Sequence, residues 1–182
     1  DFTKGDYGSA SKILHKLENQ LPGSEYHLYL AYIAREKSSL LESSKELILA
    51  EQSAKTEPDV KVMLEIYLNQ AFNASLVRKP DEMTSPLEKA DKIAKNKQWV
   101  VFFRSLQDYL NHNYKPALDQ WKKPLDSGYL SVWMKKTFTD TFDSFWYSTH
   151  LAQANISSGN YLSARQELEQ ESKTAKEHQL DD

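Results

Sequence analysis

Apolar side chains recur along most of this chain every three to four residues, the period of an amphipathic helix. Ala10, Ile13, Leu14 and Leu17 share one helical face, and Pro22-Gly23 closes that run, with Ser24 expected to cap the next helix. That helix carries Tyr26, Tyr29, Leu30, Ile33 and Ala34 and ends in the polar stretch Arg35 to Ser39. Leu40, Leu47, Ile48 and Ala50 mark an antiparallel partner that stops before Pro58. From Asp59 the pattern runs through Val62, Met63, Ile66, Tyr67, Ala71 and Ala74 and halts around Arg78 to Asp81. Ser85-Pro86-Leu87-Glu88 has the form of a helix start, with a capping box and Pro at the first helical position, so the spacing predicts a helix from Ser85 to about Asn96. Further runs are Trp99 to Asn111, Tyr114 to Lys123, Phe145 to Ser157 and Leu162 to Glu177, and Tyr129 to Asp143 is an inserted helix or lid. No alternation of period two survives, so the expected fold class is all-α, with at least eight helices in antiparallel pairs.

One short phrase recurs ahead of the helical runs: Gly5-Asp6-Tyr7-x-x-Ala10, Asn113-Tyr114-x-x-Ala117 and Gly159-Asn160-Tyr161-x-x-Ala164. Small residues such as Ala31, Ala117, Ala152 and Ala164 suit helices that cross at about 8 to 10 Å. Gly5 and Gly159 suit a turn that needs positive φ. The phrase, with Leu151-Ala152, Gly159, Tyr161, Ala164 and Leu168 as its fullest instance, resembles the tetratricopeptide repeat, a helical hairpin of 34 residues that stacks into a right-handed solenoid. In the hairpin of Trp99 to Lys123, Ser105, Tyr114, Ala117 and Trp121 fit, with His112 where a Gly is usual. The resemblance implies a single domain over 1–182, built of units 1–22, 24–57, 59–97, 98–124 and 144–177. The 47-residue interval from Ala117 to Ala164 locates an insertion at 125–143. A regular register through Ala71, Met83, Leu87 and Ala90 would bury Pro86 in mid-helix at about 3 kcal/mol, so the third hairpin is expected to be irregular.

Composition narrows the chemistry. Five Gly and six Pro among 182 residues favour long helices over sheet, and a 40% hydrophobic share is enough for a core. A net charge of −3 with both signs interspersed argues against a nucleic-acid footprint. No apolar run approaches the roughly 20 residues that span a bilayer, so direct membrane insertion is not expected. Without cysteine there are no disulfides, thiolate metal sites or cysteine nucleophiles. The five histidines, at 15, 27, 112, 150 and 178, lack the spacing of metal ligands, and no nucleophile, phosphate-binding or dinucleotide motif is present. The expectation is therefore a chain that is not an enzyme and uses no cofactor or metal.

Aromatic enrichment is the positive clue. The resemblance implies that the first helix of each hairpin lines a concave groove, which places Tyr29, Tyr32, Arg35, Phe72, Phe103, Leu106, Tyr109 and His150 along it. Phe103 is better suited to packing between hairpins than to the groove, whereas Tyr29, Tyr32 and Tyr109 suit either equally. Aromatics with polar tips suit capture of a peptide or helix. The expected function is a protein-interaction module for a peptide or partner protein, with self-association into a homo-oligomer as a further option. The absence of an initiating Met and of cysteine, with family habit, points to a bacterial envelope or secretion assembly, periplasmic in preference to cytoplasmic. The alternative is a ligand- or peptide-gated regulator with 125–143 as its lid.

Overall fold

The computed structural model describes residues 6–56, 58–95, 97–121 and 144–177. They form helices α1 (Tyr7–Lys16), α2 (Gly23–Glu36), α3 (Leu40–Ser53), α4 (Val60–Leu76), α5 (Pro80–Ile93), α6 (Gln98–Leu110), α7 (Tyr114–Trp121), α8 (Ser144–Ser157) and α9 (Tyr161–Glu177), with no strand among the described residues. The inserted segment 125–143 and Gly5 lie outside them. The chain divides into two compact units, Asp1–Phe103 and Arg104–Asp182. In the first, α1 packs on α2, α2 on α3, α3 on α4 and α4 on α5; in the second, α7 packs on α8 and α8 on α9.

One turn is used four times. Ser38, Arg78, His112 and Gly159 have φ of 60°, 57°, 63° and 79° and end α2, α4, α6 and α8. At each, the left-handed residue donates its N–H to the carbonyl three residues back and the next residue donates to the carbonyl five back: Ser38 to Arg35 and Ser39 to Ala34, Arg78 to Ser75 and Lys79 to Ala74, His112 to Tyr109 and Asn113 to Asp108, Gly159 to Ile156 and Asn160 to Asn155, all at 2.8 to 3.0 Å. This paired closure of the last helical turn satisfies two orphan carbonyls and sends the chain back along its own helix. A left-handed conformation costs a non-Gly residue roughly 1 to 2 kcal/mol. Three hairpins carry that cost and the last avoids it with Gly159, beside which an added Cβ would meet nothing within 4 Å, so the glycine serves conformation and not space.

Counting from these residues puts the hairpins in one register. Seven positions before stand Ala31, Ala71, Ser105 and Ala152, and five after stand Ser43, Met83, Ala117 and Ala164; all eight are buried. Small side chains at both places let paired helices approach closely. The exception, Met83, lies on the helix where the expected start fails. α5 begins at Pro80, whose missing N–H costs nothing at the first helical position, and Pro86 sits inside the helix. The regular register therefore holds. Its cost at Pro86 is opposed by the burial of Met83, which the longer helix adds and which is worth about 1.5 to 3 kcal/mol. Pro86→Ala is expected to raise stability by roughly 2 to 3 kcal/mol in urea titrations followed by circular dichroism, since the ring clash is relieved and a hydrogen bond regained. A loss of stability would instead favour a helix beginning at Ser85.

One smaller expectation also changes. α2 starts at Gly23 after Pro22, with Ser24 buried inside its first turn instead of capping it. Elsewhere side-chain caps appear as aspartates: Asp6 accepts from Ser9 N–H, and Asp59 from Lys61 and Val62 N–H.

Candidate functional site

The eight groove candidates occupy three places in the common register, all on first helices. Nine before the left-handed residue stand Tyr29, Asn69, Phe103 and His150; six before, Tyr32, Phe72, Leu106 and Gln153; three before, Arg35, Ser75, Tyr109 and Ile156. Five of the eight lie in the first unit and three in the second. Tyr32, Arg35, Phe72, Phe103, Leu106 and Tyr109 are buried, whereas Tyr29 and His150 are half-buried.

In the first unit these positions build a polar chain through an apolar interior. The Tyr32 hydroxyl donates to Glu65 Oε2 at 3.3 Å and accepts from Asn69 Nδ2 at 3.2 Å. Asn69 Nδ2 also reaches the Glu65 carbonyl at 2.7 Å, fixing the amide so that its Oδ1 faces Arg35, whose Nη1 donates at 2.8 Å. The same Nη1 donates to Asn73 Oδ1 at 3.3 Å, and Asn73 Nδ2 continues to Ser43 Oγ at 2.9 Å and Ser44 Oγ at 3.2 Å. α2, α4 and α3 are thus joined by one run of bonds. The Arg35 guanidinium carbon lies 5.3 Å from the Tyr32 ring centre and 4.8 Å from that of Phe72, within cation–π range of both. Phe72 meets Phe103 at 6.2 Å, tilted by 59°.

Electrostatics follow from burial. Desolvation pulls the Arg35 guanidinium down to about 10, against the opposing influence of Tyr32 and Glu36, so it stays charged at neutral pH. Desolvation, reinforced by the Glu65 charge, pushes the Tyr32 phenol well above its ordinary value, and Tyr29 rises to about 12 through burial and then the nearby Glu25 and Glu65. Both phenols are donors across the physiological range. Tyr29 donates to Glu25 Oε2 at 3.4 Å.

In the second unit Tyr109 is the centre. Its hydroxyl donates to Gln153 Oε1 at 3.1 Å, and its ring meets His150 at 5.5 Å, Trp121 at 5.3 Å and Tyr114 at 5.6 Å. The first unit carries two further features. Glu51 accepts from Gln70 at 2.9 Å and from Lys89 at 2.7 Å, stapling α3, α4 and α5. Towards the other ends of these helices an apolar cleft of about 430 Å³ opens, lined by Leu41, Ile48, Val77 and Pro86 among others.

Histidines are dispersed: His15 pairs with the Tyr26 hydroxyl at 2.8 Å, His27 with Glu46 at 2.7 Å and His112 with the Tyr114 hydroxyl at 2.7 Å. Among the described residues no group of three or more His, Cys, Asp or Glu could hold a metal ion, and no helix is long and apolar enough to cross a membrane. Sequence reasoning missed Glu65 and Asn73 as network members. Their signal was available: Glu65, Asn69 and Asn73 recur every four residues on a mostly apolar helix, which places three polar groups on one buried face. Comparison with known proteins gives no match of any kind: no family model fits the chain, and no curated protein or solved structure is similar to it.

Proposed function

We propose that this chain is a non-enzymatic interaction module, a tetratricopeptide-like array of helical hairpins that holds a peptide or a partner protein on the faces of its first helices. The observation that supports this reading best is the fourfold turn with its shared register, in which the groove candidates fall at three recurring distances before the left-handed residue. Repeat arrays of this kind use such faces as extended binding surfaces. Within each unit the buried members support the surface and the half-buried ones offer it: Tyr29 in the first and His150, edge-on to Tyr109, in the second. The Tyr32–Asn69–Arg35–Asn73 run of bonds ties α2 to α4, and a preorganised support of this kind lowers the entropy lost on binding.

The test is capture from a lysate of the source organism on immobilised chain. Wild type is expected to retain a defined partner, and Tyr29→Ala or His150→Ala to weaken that partner by more than about 1 kcal/mol, roughly fivefold or more, with the melting temperature nearly unchanged. Normal binding by both variants, with loss on substituting Trp133 or Phe138, would transfer recognition to the inserted segment.

A further inference from the structure

α5 carries two helix starts, and only one is in use. The helix begins at Pro80, its N-cap Lys79 supplies no side-chain hydrogen bond, and Pro86 lies inside it. Proline at that place has no N–H for the Glu82 carbonyl, and its ring crowds the same carbonyl, so the weakest link of the helix falls between residues 82 and 86. Directly before the proline stands the second start: Ser85, with Glu88 three residues on, is the pair that forms a capping box when a helix begins at Pro86. Both side chains are exposed, and among the described residues neither makes a hydrogen bond or an ion pair.

What holds the first start is Met83. Its side chain is 0% exposed, whereas Asp81, Glu82, Thr84 and Ser85 around it are exposed. The Lys79–Glu82 ion pair that spans the turn has both side chains more than half exposed, where such pairs contribute little. The same turn walls the apolar cleft: Lys79, Glu82 and Pro86 line it together with Leu41 and Ile48 of α3 and Val77 at the end of α4. We propose that residues 80–85 form a hinged flap on this cleft: they unwind together, relieve the crowding at Pro86 and engage the Ser85–Glu88 box, while Pro86 becomes the first residue of a shorter α5 that keeps Leu87 and Ala90 buried. The open form exposes Met83 and removes the wall of the cleft at Lys79 and Glu82. Among the described residues no other hairpin is built this way: at the place of Pro86 stand Glu46, Gln120 and Glu167, and at the place of Met83 the small residues Ser43, Ala117 and Ala164. The flap sits on the second helix of its hairpin and does not depend on the groove reading.

Amide hydrogen exchange of the full-length chain measures the flap against an internal standard. α3 is likewise 14 residues long and starts without a side-chain cap, and its Ser43, Ser44 and Lys45 stand in register with Met83, Thr84 and Ser85. Protection at Met83, Thr84 and Ser85 is expected to lie at least about tenfold below that at Ser43, Ser44 and Lys45. Ser85→Ala removes the cap of the open form alone and should raise protection at Met83 and Thr84 about fivefold, whereas Ser85→Asp, which caps equally well, leaves it low. Ser85 is exposed, so neither variant disturbs the packing. Peroxide oxidation of Met83, followed by mass spectrometry, should slow by the same factor in Ser85→Ala, because a side chain with no exposed surface reacts only from the open form. Equal protection in α5 and α3, or a response to Ser85→Ala no different from that to Ser85→Asp, reduces the segment to ordinary end fraying and overturns the proposal. Oxidation of Met83 that is indifferent to Ser85→Ala also overturns it, since the cleft then does not open. Each of these results leaves the Tyr29 test intact.

Discussion

Arg35→Ala is expected to destabilise the first unit by about 3 to 5 kcal/mol, the range for removing one partner from a buried charged network. Truncation takes the donor from Asn69 Oδ1 and Asn73 Oδ1 at once, in an interior where neither amide can turn to water. It also empties the space between the Tyr32 and Phe72 rings, which adds a cavity term. Two companions separate these causes. Arg35→Met refills the space without donors, and should recover the packing share alone. Arg35→Lys keeps the charge but has no planar fork to lie on two rings, and should remain clearly destabilised. Urea titrations read by circular dichroism give the three values. A loss under about 1 kcal/mol for Arg35→Ala would mean that the bonds joining α2 to α4 are not formed in solution.

Arg35 also shows where the sequence stops being legible. Periodicity alone yields the helical class, because a helix must bury one face and advertises it every three to four residues. The stretch Arg35 to Ser39 looks like a solvated end, since an arginine followed by Glu36 and Lys37 has that composition. In fact α2 continues to Glu36 and Arg35 is buried, because Asn69 and Asn73 on another helix supply its acceptors. No local pattern on α2 announces a partner some 34 residues away. The turns fail to show themselves for a related reason. Gly159 is recognisable as left-handed because glycine reaches positive φ freely, but Ser38, Arg78 and His112 adopt the same φ with side chains that do not advertise it. Pro86 teaches the converse: a local cap motif at Ser85 was outweighed by the burial of Met83, a long-range gain that the motif does not contain. The burial of Tyr32, Arg35 and Phe72 was not legible either, since periodicity says which residues share a face and not how closely the next helix lies on it.

Burial of that face sets the second large effect. Phe72 is 1% exposed, touches Phe103 and carries the Arg35 guanidinium on its ring, so Phe72→Ala is expected to cost about 3 to 5 kcal/mol. Phe72→Leu, which keeps most of the volume, should cost clearly less, by the argument that shape-conserving substitutions repack. Tyr29→Ala, at a half-buried position with a long bond to Glu25, should change stability by no more than about 1 kcal/mol. The contrast bears on function as well as packing. If the partner rests on Tyr29, then Tyr29→Ala lowers affinity in a fully folded protein, whereas Phe72→Ala lowers it only as far as it unfolds the support, and partner binding should recover when the assay is cooled below the variant's lowered melting point. A Phe72→Ala protein that melts like wild type but no longer holds the partner would place the Phe72 side chain in direct contact, and the supporting role assigned to the buried row of first-helix residues would be wrong.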